Sequence, residues 1–169
     1  PVAVHEIVER HPELRVENLR QLVRCGVETV GEVRQGEVAV DTSKLATFGF
    51  CFGGCCAREL ARTGAPVKAA VSFHGTLDTP NPADAKNIKG KVLVLHGASD
   101  PLVPKEQLPA FEDEMNAAGV DWQLLSYGGA FHSFTDPHAN VPGMMMYDAK
   151  VAARAFTSMH NLLDEVFKG

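Results

Sequence analysis

With 169 residues, of which 45% are hydrophobic and 22% charged, the chain has the length and make-up of one globular domain with a core of its own. A formal net charge of −5 argues against nucleic acid as the main partner, and no apolar run is long enough for a membrane span. No signal peptide opens the chain, and of Cys25, Cys51, Cys55 and Cys56 the last three crowd too closely for a disulfide framework or a finger-like zinc site, so the expectation is reduced thiols in a cytoplasmic protein.

In chain order the first expected strand covers 2–6, where the chain begins abruptly in strand-like residues. Leu19, Leu22, Val23, Val27 and Val30 then recur at helical spacing, with Gly26 and Gly31 as weak points. A strand over 45–50 leads into a helix that follows Gly53 and ends near Gly64, since Pro66 prevents its continuation. Strands over 67–73 and 92–96 follow. Val92-Leu93-Val94-Leu95 is apolar throughout, as a parallel strand covered on both faces requires. Phe111, Met115 and Ala118 mark a helix closed by Gly119, and a strand over 122–127 comes next. The last helix runs from about Tyr147, with Val151, Ala155, Phe156, Met159, Leu162, Leu163 and Val166 on one broad face. This alternation predicts a single α/β domain over 1–169, with a mainly parallel sheet of about five strands flanked by helices.

Gly49-Phe50-Cys51-Phe52-Gly53-Gly54 lies between a strand and a helix, the setting of a nucleophile elbow. So tight a turn strains the nucleophile's backbone and calls for small residues two before and two after it, here Gly49 and Gly53. The helix N-terminus beneath Cys51 favours a thiolate. Taken alone, the string fits equally well a buried cysteine at a glycine-rich junction. Two later segments tip the balance. His96-Gly97-Ala98-Ser99-Asp100-Pro101 puts a carboxylate beyond the end of one strand, and Gly128-Gly129-Ala130-Phe131-His132-Ser133-Phe134 puts a histidine beyond the end of the next. The C-terminal ends of parallel strands form the ligand crevice, so Cys51, Asp100 and His132 are expected to converge there. Nucleophile, acid, histidine is also the chain order of an α/β-hydrolase.

From about Asp41 onward, GFCFGG, VSFHG, KVLVLHGASDPLVP, FEDEM and DWQLLSYGGAFHSFTDP resemble the dienelactone hydrolase (carboxymethylenebutenolidase) family. The resemblance implies a compact α/β-hydrolase core and a Cys-Asp-His triad of Cys51, Asp100 and His132. It implies hydrolysis of carboxylic esters or lactones through a cysteine thioester, with no cofactor and no metal. Val2-Ala3-Val4-His5-Glu6-Ile7 resembles the family's third strand and the turn after it. On that match the backbone N–H groups of Ile7 and Phe52 form the oxyanion hole, and Glu6 takes part in activating the thiol. The family's first strands and the strand after its first helix are absent, so the chain reads as a core either naturally trimmed or truncated. The family holds a substrate carboxylate with arginines, one of them shortly after the catalytic histidine. Ser133-Phe134-Thr135-Asp136 has none, so a neutral ester or lactone is the expected substrate.

The remaining features read more plainly. Cys55 and Cys56 are expected to be core thiols, and His74 and His96 structural or pocket-lining residues rather than catalytic ones. Met144-Met145-Met146 is expected either to line an apolar substrate pocket or to pack before the last helix, Trp122 to pack, and Glu112-Asp113-Glu114 to form a solvated helix face. Two rival readings keep the fold: a catalytically impaired or inert shortened homologue, and a thiol redox-reactive protein in which Cys55 or Cys56 resolves an oxidised Cys51. A sheet edge at 2–6 would also invite pairing, so either a homodimer through that edge or a helix folded over it is expected.

Overall fold

The apolar runs pair into one parallel sheet in a computed structural model that describes residues 22–23 and 43–168. Its strands are β1 (Leu22–Val23), β2 (Ala46–Phe50), β3 (Ala69–Phe73), β4 (Lys91–Gly97) and β5 (Trp122–Tyr127), in the spatial order of the sequence. All four pairings are parallel, with Phe50 opposite Phe73, Phe73 opposite Leu95 and Gly97 opposite Tyr127. The C-terminal ends of β2 to β5 therefore lie along one rim.

Parallel neighbours need crossovers, and helices supply two of them. The helix α1 (Phe52–Arg62) links β2 to β3, and α2 (Gln107–Ala118) links β4 to β5. A 3-10 helix over Pro82–Asn87 precedes β4, and α3 (Ala149–Lys168) closes the described chain. Strand side chains alternate between two cores. Phe73, Leu93 and Leu95 pack under Phe156, Met159 and Leu163 of α3. Val92 and Val94 pack on the other side against Phe111 and Met115 of α2, and Ala70 against Ala61 of α1. Helices on both faces explain why β3 and β4 are buried without alternation.

Two expectations for the N-terminal quarter meet different fates. The strand at 2–6, with Glu6 and Ile7, lies outside the described residues. The helical reading through Leu22 and Val23 is corrected, because these two residues pair in parallel with Ala46 and Thr47. The open edge of β2 presents backbone donors and acceptors that need partners, and that demand overrides a helical spacing of apolar residues. Of the acidic run on α2, Glu112 and Asp113 are exposed as expected but Glu114 is not. Its side chain is 6% exposed and takes two hydrogen bonds from buried Arg62, at 2.8 and 3.0 Å. Trp122 packs as expected, edge-on to Phe111.

Candidate active site

Cys51 sits between β2 and α1 with φ 51° and ψ −124°, a strained conformation for a residue with a side chain. What sustains it is packing around the turn. A Cβ on Gly49 would lie 2.0 Å from the Gly53 carbonyl oxygen, one on Gly54 2.5 Å from Ser72 Oγ, and one on Gly75 2.9 Å from the Cys51 carbonyl oxygen. Gly53, expected to be small for steric reasons, faces open space. The close approaches fall instead at Gly49, Gly54 and Gly75, where the elbow crosses its own helix and the end of β3. The Cys51 N–H donates to Phe73 O at 3.0 Å and to His74 Nδ1 at 3.2 Å, tying the elbow to that strand end.

Asp100 and His132 come from the next two strand ends. The Asp100 N–H donates to Gly97 O, and Asp100 Oδ1 accepts from the Leu102 N–H at 2.8 Å, which fixes the carboxylate. Its Oδ2 accepts from His132 Nδ1 at 2.8 Å. The His132 segment is clamped on both sides. Its N–H donates to Met144 O and its carbonyl accepts from the Met146 N–H, each at 3.1 Å. Met145–Met146 pairs with Asn140–Val141 in a short antiparallel ribbon, so part of the methionine run has a backbone role in holding the histidine loop.

The sulfur of Cys51 and one ring nitrogen each of His74 and His132 lie within 4.8 Å of one another. Since Nδ1 of His132 is held by Asp100, Nε2 is the nitrogen left to meet the thiol. Burial alone would lower the His132 pKa, but its bonds to Asp100 and Cys51 and the nearby negative charge outweigh that and push it up to about 9. The same three donors are the residues that could ligate a soft cation. Cys55 points elsewhere, toward the Thr76 carbonyl and hydroxyl at 3.2 and 3.1 Å. Cys55 and Cys56 are half-buried rather than core thiols, since the first turn of α1 lies at the crevice rim.

The structure adds Ser133 and Thr135, which sequence reasoning passed over, and sets His74, expected to be structural or pocket-lining, against the sulfur. His74 is 2% exposed, at φ 39°, and its Nδ1 lies 3.5 Å from the Cys51 sulfur. Ser133, at φ 56°, places Oγ 3.5 Å from the same sulfur. Thr135 Oγ1 meets His74 Nε2 at 2.8 Å. A histidine closing an apolar strand next to the expected elbow strand was the available signal for His74. His96, also at a strand end, stays apart from this cluster; it is buried, with Nδ1 among the atoms that find no hydrogen-bond partner among the described residues.

Phe52 is the first residue of α1, so its N–H precedes the reach of intrahelical acceptors and is placed beside Cys51. Its ring is 80% exposed. Glu6 and Ile7, expected beside it, lie outside the described residues. No helix of the described residues is long and apolar enough to cross a membrane.

Comparison with known proteins identifies the family. An uncharacterized protein of Caenorhabditis elegans is 38% identical over 133 residues, which cover 76% of this chain and 84% of that protein. A putative carboxymethylenebutenolidase of Yersinia pestis is 36% identical over 102 residues, covering 56% of this chain and 38% of the relative. Among solved structures, m3DLH matches at 52% identity with a TM-score of 0.72. A dienelactone hydrolase-like promiscuous phosphotriesterase from metagenomic libraries matches at 51% identity with a TM-score of 0.70. The chain spans 54% of each of those two structures, covering 76% and 75% of its own length. The dienelactone hydrolase family profile matches residues 13–167, and the chain belongs to that family, with its α/β-hydrolase fold.

Proposed function

We propose that the chain hydrolyses carboxylic esters or lactones through a thioester formed on Cys51. One observation carries the reading: the ends of β2, β5 and β4 bring a strained cysteine, a histidine and a histidine-bound carboxylate to one crevice. In this mechanism His132 Nε2 takes the thiol proton as the sulfur attacks the acyl carbon. Asp100 holds the ring in the tautomer that leaves Nε2 free and stabilises the imidazolium that forms. The carbonyl oxygen, as it becomes an oxyanion, takes the Phe52 N–H. The imidazolium then returns its proton to the leaving alkoxide, and the thioester remains. Water, deprotonated by the same nitrogen, attacks the thioester and releases the acid and the thiol. Ile7 is the proposed second oxyanion donor, and Glu6 the proposed aid to thiol activation.

A neutral acyl substrate suits the surroundings. Asp136 stands in the loop after His132; of the exposed apolar residues Phe52 follows Cys51, the Leu102 N–H donates to the Asp100 carboxylate, and the Met144 carbonyl accepts from the His132 N–H. A reducing, cytoplasmic setting would keep Cys51, Cys55 and Cys56 as the free thiols they are here.

Hydrolysis of p-nitrophenyl acetate and butyrate by the protein and by Cys51→Ala tests the proposal. A burst or steady turnover that disappears in the variant supports it. A folded protein with no activity, or turnover that survives in Cys51→Ala, overturns it.

A further inference from the structure

His74 lies against Cys51, yet the hydrolytic steps above leave it without a task. Its Nδ1 accepts the Cys51 N–H at 3.2 Å, so a lone pair stands there. The ring's proton is on Nε2, which donates to Thr135 Oγ1 at 2.8 Å. His132 is held in a parallel way: Nδ1 donates to Asp100 Oδ2 at 2.8 Å, which leaves Nε2 for the side of the thiol. Each of two imidazoles thus has one nitrogen fixed by an outer acceptor and the other turned to one sulfur. Metal-binding histidines are oriented by just such outer partners.

The dimensions fit a small tetrahedral ion. With Zn–S of about 2.3 Å and Zn–N of about 2.0–2.1 Å, two ligands of tetrahedral zinc lie about 3.5 Å apart. Cys51 Sγ and His74 Nδ1 are already 3.5 Å apart. All three donor atoms lie within 4.8 Å of one another, so the widest pair has to close by little more than about 1 Å. His74 Nδ1 gives up the Cys51 N–H in doing so. That N–H keeps its bond to Phe73 O at 3.0 Å, so no buried donor is stranded. Charge fits as well, since a Cys51 thiolate and the Asp100 carboxylate behind His132 together balance a divalent cation. One sulfur and two imidazoles favour zinc over magnesium or calcium, which seek oxygen. The fourth position falls to solvent or to Ser133 Oγ, itself 3.5 Å from the sulfur.

We propose that Cys51, His74 and His132 form a zinc(II) site whose occupation reversibly switches the hydrolase off. The site rests on the three donors, and its effect on turnover rests on the reading of Cys51 as the nucleophile. Zinc takes the lone pairs of the sulfur and of His132 Nε2, which attack and proton transfer need. The proton of the Cys51–His132 pair goes to solvent, and no oxidation state changes. His74 is the third ligand that turns a cysteine–histidine pair into a site.

Cobalt(II) and zinc(II) titrations of the protein, dialysed first against chelator, test this without requiring turnover. One cobalt should bind per chain, with a sulfur-to-cobalt band in the near ultraviolet and the visible bands of a tetrahedral ion, and zinc should displace it. Cys51→Ala should lose these bands; bands that survive there put the metal on another cysteine and overturn the proposal. His74→Asn, compatible with the positive φ at that position, should raise the zinc dissociation constant about 100-fold or more. Thr135→Val leaves all three donors in place and should raise it about 10-fold. No cobalt bands in the folded wild-type protein, or unchanged affinity in either variant, overturns the proposal. Should the variants not fold, X-ray absorption of the zinc-loaded wild type decides: one sulfur and two imidazoles are expected, and a single imidazole overturns it. Hydrolysis of p-nitrophenyl butyrate should stop with one equivalent of zinc and return with EDTA, and turnover by zinc-saturated protein overturns the switch. Failure of the hydrolase reading would look different, as ester turnover surviving Cys51→Ala while that variant still loses the cobalt bands.

Discussion

At the scale of single residues, chemistry is set by which atom faces which. Asp100 reaches His132 through Nδ1, and Leu102 holds the other carboxylate oxygen, so the ring has one orientation. Asp100→Asn should leave the fold and KM nearly unchanged and lower kcat by about 10³–10⁴-fold, the cost of a wrongly held tautomer. Steady-state kinetics on p-nitrophenyl butyrate, with circular dichroism as the folding control, measures both. The pH dependence follows from the same contact. A general base works only when unprotonated, and His132 keeps its proton up to about 9. The ascending limb of kcat/KM is therefore expected near that value rather than near the ordinary 6.5 of histidine, and it should move down in Asp100→Asn. A wild-type limb centred at or below 6.5 would contradict this account of the site.

Elements show why particular glycines are needed. Gly53 and Gly54 are neighbours in the first turn of α1 and look alike in the sequence. One faces open space and the other would drive a Cβ to within 2.5 Å of Ser72 Oγ. Gly53→Ala should be within about 0.5 kcal/mol of wild type, whereas Gly54→Ala should lose roughly 1–3 kcal/mol through overpacking against β3. Urea titration of the two variants gives the comparison. A second prediction concerns the contact between α1 and α2. Arg62 is 2% exposed, and Glu114, its bidentate partner, 6%. Arg62→Met should cost about 3 kcal/mol, because it leaves a carboxylate buried without its cation. The double variant Arg62→Met/Glu114→Met should recover much of that loss.

For the molecule as a whole, the buried histidines set the pH range of stability. His74 is neutral in the fold with a pKa of about 3, against 6.5 when exposed. Unfolded chains bind a proton there as pH falls below 6.5 and the folded protein does not, so its contribution is intact above 6.5 and is lost progressively toward pH 3. The full swing is on the order of 5 kcal/mol, enough to dominate acid unfolding of a domain this size. His132 acts in the opposite sense. Its raised pKa contributes stability that is complete below 6.5 and is lost as pH rises through about 9. Thermal melts across this range should show a plateau that falls on the acid side. His74→Asn should flatten that acid slope while leaving the alkaline one. The homodimer proposed from an open sheet edge belongs to this scale too, and light scattering reads it.

Much of this is legible in the chain alone. Val92-Leu93-Val94-Leu95 could only be a strand covered on both faces, the strand over 122–127 appears with those limits, and the order Cys51, Asp100, His132 at three strand ends already implied a crevice. Local pattern suffices there because periodicity and strand-end position are properties of the chain itself. It fails where a residue's meaning depends on what crosses it from far away. Leu22 and Val23 have helical spacing but pair with a strand more than twenty positions on. Glu114 looks like solvated charge until Arg62 meets it from another helix. Gly53 and Gly54 differ only in whether β3 lies beneath them. His74 reads as a strand-end histidine, and only the fold places its Nδ1 against the sulfur of Cys51 and its Nε2 on Thr135, sixty-one residues away. Local pattern was enough for the layers and for the chain order of the proposed triad; packing fixed which neighbours each candidate residue has, because contact between distant segments leaves no periodic trace in either one.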